Sequence, residues 1–84
     1  MAYQDGNALA GPLSEIFAVD VTSAVSTCAG CGRAGVVASL RVFWHAQDAI
    51  ARCPGCESVM LRLVRVQGEL CLDFTGMTHL RIPA

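Results

Sequence analysis

The chain contains no lysine, and its six basic residues, all arginine, are balanced by seven acidic ones to a formal net charge of -1. A protein that neutralises nucleic-acid phosphates normally shows a basic excess, so the charge balance argues against that role. Aromatic residues are scarce, at 6%, which leaves little to shield a redox centre. No long apolar run exists either. The longest stretch free of acidic and basic residues, Val21 to Gly32, is too short and too rich in Ser, Thr, Cys and Gly to cross a bilayer. Met1-Ala2-Tyr3-Gln4-Asp5 has no basic region followed by an apolar one, so it does not read as a signal peptide, and a reducing cytoplasm is expected. There is no Ser-His-Asp set, no phosphate-cradling glycine loop and no recognisable carboxylate pair. The expectation is a soluble protein that is not itself an enzyme.

What is present is apolar. Hydrophobic residues make up 54% of 84 residues, and a chain this short buries only about 60% of the surface its unfolded form exposes. Some apolar surface is therefore expected outside, as a docking face for an unidentified protein partner or for a second copy. So small a core also calls for a staple, and five cysteines are available. Arginine without lysine, together with abundant Ala, Val and Gly, suggests a GC-rich bacterial genome.

Residues 1 to 6 read as loose. Apolar residues at Leu9, Leu13, Ile16 and Phe17 then have helical spacing. Gly11-Pro12 splits this stretch into a turn capped by Asn7 and a helix with Pro12 at its first position and Asp20 near its end. From Val25 the period becomes that of strands: Val36, Ala38, Leu40, Val42 and Trp44 alternate with Val37, Ser39, Arg41, Phe43 and His45 as in one half-buried strand. A turn at His45 to Asp48 follows, then a short segment at Ala49 to Arg52, a strand at Val59 to Val66, and a hairpin turn at Gln67-Gly68. Leu70, Leu72 and Phe74 alternate with Cys71 and Asp73 before a turn at Thr75-Gly76 and a last strand near His79 to Ile82. The expected fold is a small α+β protein, an N-terminal helix followed by one zinc-ribbon-like antiparallel sheet of three to five strands with two CxxC knuckles. Residues 1-24 form the helical segment and 25-84 the zinc-ribbon domain, as one structural unit.

Chemistry concentrates in Cys28-Ala29-Gly30-Cys31-Gly32 and Cys53-Pro54-Gly55-Cys56, with 21 residues between Cys31 and Cys53. A C-x-x-C turn aims two sulfurs at one point, and small residues let backbone N-H groups approach them. Two such knuckles at hairpin tips complete a tetrahedron about 2.3 Å from one zinc ion. Closed coordination leaves no position for a catalytic water, so the site reads as structural. A loaded site adds -2 and takes the net charge to about -3. Arg33 and Arg52 adjoin the knuckles and are candidates to offset that charge. Iron suits the same ligands and is the weaker choice for want of aromatic cover. A thioredoxin-like redox pair lacks its βαβ context, and disulfides would need an exported protein.

Cys71, between two leucines, reads as a small buried hydrophobe. His45 and His79 lack any spacing that pairs them with the knuckles and read as surface residues. Arg41, Arg62, Arg65 and Arg81 lie on strands, either as a solvated surface or lining a face that touches nucleic acid.

Asp5-Gly6-Asn7-Ala8 through Gly11-Pro12-Leu13-Ser14-Glu15-Ile16-Phe17, followed by the two cysteine pairs, resembles a family of small uncharacterised bacterial zinc-ribbon-like proteins with a domain of unknown function. The resemblance covers nearly the whole chain and implies a zinc-ribbon-like protein with no assigned activity. The ribbon part also resembles the zinc domain of hydrogenase-maturation nickel chaperones. Those place a nickel-binding His-Glu directly after the starting methionine, where this chain has Ala2-Tyr3.

Overall fold

The computed structural model describes residues 3–14 and 21–82. Residues expected to be loose form a first strand, β1 (Gln4–Asp5), fastened by Trp44, whose indole N-H donates to Gln4 Oε1 at 2.8 Å. A 3-10 turn at Gly6–Leu9 runs into the one α-helix among the described residues, α1 (Ala10–Ser14). The expected Asn7 cap is instead Asp5, whose side chain accepts the Asn7 amide at 3.0 Å. Pro12 is the third residue of α1 rather than the first, still inside the turn whose amides have no helical partner. Glu15, Ile16, Phe17 and Asp20 lie outside the described residues. No helix of the described residues is long and apolar enough to cross a membrane.

After a 3-10 turn at Val21–Ser23 come β2 (Val25–Cys28) and β3 (Ala34–Val36). The single strand expected over 36 to 45 breaks: Val37–Ser39 is another 3-10 turn, and only β4 (Arg41–His45) is extended. Val37 and Leu40, three apart, are both fully buried, and the Leu40 amide donates to the Val37 carbonyl at 3.0 Å. Turn spacing thus overrides alternation. β5 (Asp48–Arg52), β6 (Val59–Val66), β7 (Glu69–Asp73) and β8 (Met77–Arg81) complete the chain. Gln67 and Gly68, at φ of 46° and 80°, form the expected tight hairpin turn.

Two antiparallel sheets replace the expected one. The larger has the order β1-β4-β5-β6-β7 and the smaller β3-β2-β8. The small sheet exists because β8 pairs back to β2, with Val25 opposite Arg81 and Ser26 opposite Leu80. On the large sheet the register aligns Val42, Ala51 and Leu61 in one row and Ala49, Leu63 and Leu72 in the next. Leu9, Leu13, Val37 and Leu40 pack with this face, each at most 1% exposed. A buried leucine of this kind contributes roughly 1.5–3 kcal/mol.

The other face of the large sheet carries Phe43, Ile50, Arg62 and Asp73 in one row. Tyr3 adds its ring 5.8 Å from that of Phe43, with the Arg41 guanidinium 5.1 Å from the Tyr3 centroid. The register shifts between Ala51 and Arg52, which leaves Met60 as the extra residue of a β-bulge just beyond the second cysteine knuckle. There β6 meets the turn before β8. A Cβ on Gly76 would lie 1.9 Å from the Val59 carbonyl oxygen and 2.6 Å from Met60 Cα, so only glycine fits.

Candidate metal centre

Each cysteine pair closes a hairpin, the first between β2 and β3, the second between β5 and β6. The first belongs to the small sheet and the second to the large one, so the four sulfurs meet where the sheets join. All four Sγ atoms lie within 4.8 Å of one another. Across the knuckles, Cys28 and Cys56 are 3.6 Å apart and Cys31 and Cys53 are 3.7 Å apart. A tetrahedron with sulfurs 2.3 Å from a central zinc has edges of about 3.8 Å. The donor set and its spacing therefore fit a four-coordinate metal ion, and the cluster is consistent with a zinc-binding site.

The two turns repeat one hydrogen-bond pattern. The amides of Gly30 and Gly55 each donate to the first sulfur of their own knuckle, Cys28 and Cys53, at 3.3 Å. The carbonyls of Cys28 and Cys53 accept from Gly32 and Glu57, at 2.9 and 2.8 Å, and the cysteine amides donate to Arg33 and Ser58 carbonyls at 2.9 Å. The knuckles also interlock: a Cβ on Gly30 would stand 3.5 Å from Cys56 Sγ, and one on Gly55 3.8 Å from Cys31 Sγ. Amide hydrogens aimed at sulfur offset thiolate charge and pre-organise the site.

Exposure breaks this symmetry. Cys28 and Cys53 are 1% and 0% exposed, whereas Cys31 and Cys56 are exposed. Proton affinities also differ. The Arg33 amide pulls the Cys31 thiol down, but the Cys53 thiol, burial and the Cys56 and Cys28 thiols outweigh it and push Cys31 up to about 11. Burial raises Cys53, yet the Cys56 and Gly55 amides and the Cys31 and Cys28 thiols bring it below the usual thiol range. Ser58, through its hydroxyl and its amide, pulls Cys56 down to about 6.

The flanking arginines take different positions. The Arg52 Nη1 donates to the Glu57 carbonyl at 2.9 Å and braces the end of the second knuckle. The Arg33 stem crosses from the first knuckle to the second, with Cδ 3.4 Å from the Cβ position of Gly55, while its Nη1 lies 2.8 Å from that of Gly35. Ser58, 3.2 Å from Cys56 Sγ, went unnoticed in the sequence. Its signal is a hydroxyl two residues past Cys56, the second cysteine of the second knuckle.

Cys71 is exposed, contrary to the buried position expected. It sits opposite Val64 on the face shared with Asp73, away from the leucines of its strand. His45 and His79 are exposed, as expected, and the metal-competent cluster includes neither. The four strand arginines do not converge. Arg41 and Arg62 share the outer face of the large sheet, Arg65 stands opposite Leu70 on the other, and Arg81 belongs to the small sheet.

No curated protein and no solved structure matches the chain. A family model matches residues 1–84, and the chain belongs to the family it describes, a family of unknown function (DUF6510).

Proposed function

We propose that Cys28, Cys31, Cys53 and Cys56 hold one zinc ion, and that this ion fixes a zinc-ribbon-like protein-interaction module with no catalytic activity of its own. The observation that carries the reading is the pair of cross-knuckle distances, 3.6 and 3.7 Å, in a set of four thiols. Soft thiolates in tetrahedral array favour zinc over harder cations, with iron as the alternative. Four protein ligands leave no vacancy for a substrate or a catalytic water. The outer face of the large sheet, with Tyr3 and Val66 about half exposed, supports a protein partner or self-association. The dispersal of the arginines favours that partner over nucleic acid.

Metal content by plasma mass spectrometry on untagged protein, with thiols counted before and after chelator, tests the site. One zinc per chain and four thiols released is the expected result; iron, or no metal, overturns it. Light scattering after size exclusion tests self-association, and a clean monomer at high concentration counts against it. Retention of mixed DNA and RNA at low salt would overturn the protein-partner reading. A metallochaperone or redox-sensing role is the second reading, favoured by the exposure of Cys31 and Cys56.

A further inference from the structure

We infer that the cluster is an oxidative modification site for hydroperoxides, at which Cys31 and Cys56 react first and the disulfides form across the knuckles, Cys31 with Cys53 and Cys56 with Cys28. The inference rests on the zinc reading above and adds what happens to the sulfurs when the metal leaves. Of the four ligands only Cys31 and Cys56 face solvent; Cys28 and Cys53 are at most 1% exposed. A peroxide in solution therefore meets one sulfur from each knuckle. Each exposed sulfur has a buried one from the opposite knuckle beside it, at 3.7 Å for Cys31 and Cys53 and 3.6 Å for Cys56 and Cys28. A disulfide needs about 2.05 Å between sulfurs, so closure takes a small side-chain movement once the central ion is gone.

In the first step the exposed thiolate attacks one peroxide oxygen. The O-O bond breaks, a sulfenic acid forms, and the other oxygen leaves as hydroxide, which takes up a proton to become water. In the second step the neighbouring buried thiolate attacks the sulfenic sulfur and expels its hydroxide, which also becomes water. Two thiolates, one peroxide and two protons thus give one disulfide and two waters, with two electrons passing from sulfur to oxygen. Two peroxides convert the four cysteines and release Zn2+. Both new bonds link the small sheet to the large one, so the covalent connections replace the metal's at the same junction. Disulfides within each knuckle would add no cross-link between the sheets.

The test uses the full chain with Cys71→Ser, loaded with one zinc, and hydrogen peroxide as the probe. A chromogenic chelator follows zinc release, and non-reducing peptide mapping identifies the bonds. Expected are two peroxides consumed per zinc released, cross-knuckle disulfides, and a far-UV circular dichroism spectrum that keeps its strand signal in the oxidised form. Wild-type protein with intact Cys71 serves as the second sample and should give the same map. Pairs Cys28 with Cys31 and Cys53 with Cys56, or zinc retained while Cys71 alone reacts, would overturn the inference. Protein that takes up no zinc at all overturns the proposed function instead, so the two failures are distinguishable.

Discussion

Gly32 and Glu57 occupy the same place in two copies of one turn: each follows its second cysteine, donates its amide to the first cysteine's carbonyl, and has positive φ, 78° and 64°. The left-handed region costs a non-glycine residue roughly 1–2 kcal/mol, and the second knuckle bears that cost while the first does not. Gly32→Ala is expected to destabilise the zinc-loaded protein by about 1–2 kcal/mol, whereas Glu57→Gly should be neutral or mildly stabilising. Denaturant unfolding at saturating zinc measures both, and an unaffected Gly32→Ala would show that the first turn can relax.

Gly76 has less room to yield. The atoms a Cβ would strike there belong to the backbone of Val59 and Met60, which cannot rotate aside. Gly76→Ala is expected to cost about 3 kcal/mol, at the upper end for overpacking, read from the urea midpoint.

Metal removal should loosen the small sheet first. It has three short strands and shares the cluster with the large sheet, and structural zinc contributes about 10–16 kcal/mol of apparent binding energy in zinc-finger peptides. Hydrogen exchange after chelation is expected to show amides of β2 and β8 losing protection before those of β5 and β6. Simultaneous loss everywhere would mean that the large sheet also depends on the metal.

The two exposed cysteines should separate by pH in metal-free, reduced protein. Cys56, drawn down to about 6 by Ser58, is thiolate at neutral pH, while Cys31, pushed up to about 11, stays protonated. Iodoacetamide at pH 7 should alkylate Cys56 first, the advantage fading as pH falls through about 6. Ser58→Ala should slow that reaction, and equal rates at both cysteines would refute the assignment. The linkage has the same sign: a thiol lowered by folding favours the folded metal-free chain above its unfolded value, and that support is lost as pH drops through its folded one.

Arg52→Ala removes the bond to the Glu57 carbonyl. One hydrogen bond is worth about 1 kcal/mol, or roughly five-fold, so zinc transfer to a chelator should be faster by about that factor. Unchanged kinetics would mean that the second knuckle holds without the brace.

Local signals in the sequence were reliable where nothing distant competed. The strand from Val59 to Val66 and the glycine turn at Gln67-Gly68 were legible locally, and the C-x-x-C spacing marked both knuckles. The pairing of β8 with β2 was not legible, because it joins residues far apart and no local pattern encodes which strand a short C-terminal segment will meet. Val37 and Leu40 satisfy alternation with different neighbours while being spaced for a turn, so the local pattern does not separate strand from turn there. At Cys71 the alternation that placed Leu70 and Leu72 inward already pointed the thiol outward beside Asp73. The general tendency of cysteine to be buried misled there.

The distant pairing also bears on the order of events during synthesis. β8 follows both knuckles along the chain, so Cys28, Cys31, Cys53 and Cys56 are all synthesised before the strand that completes the small sheet. The exit tunnel still encloses Cys53 and Cys56 when Met77 joins the chain, so the four sulfurs cannot meet on the ribosome at that stage. Metal capture and closure of the small sheet therefore fall together in time, and β2 keeps one open edge until both knuckles and β8 are free of the tunnel.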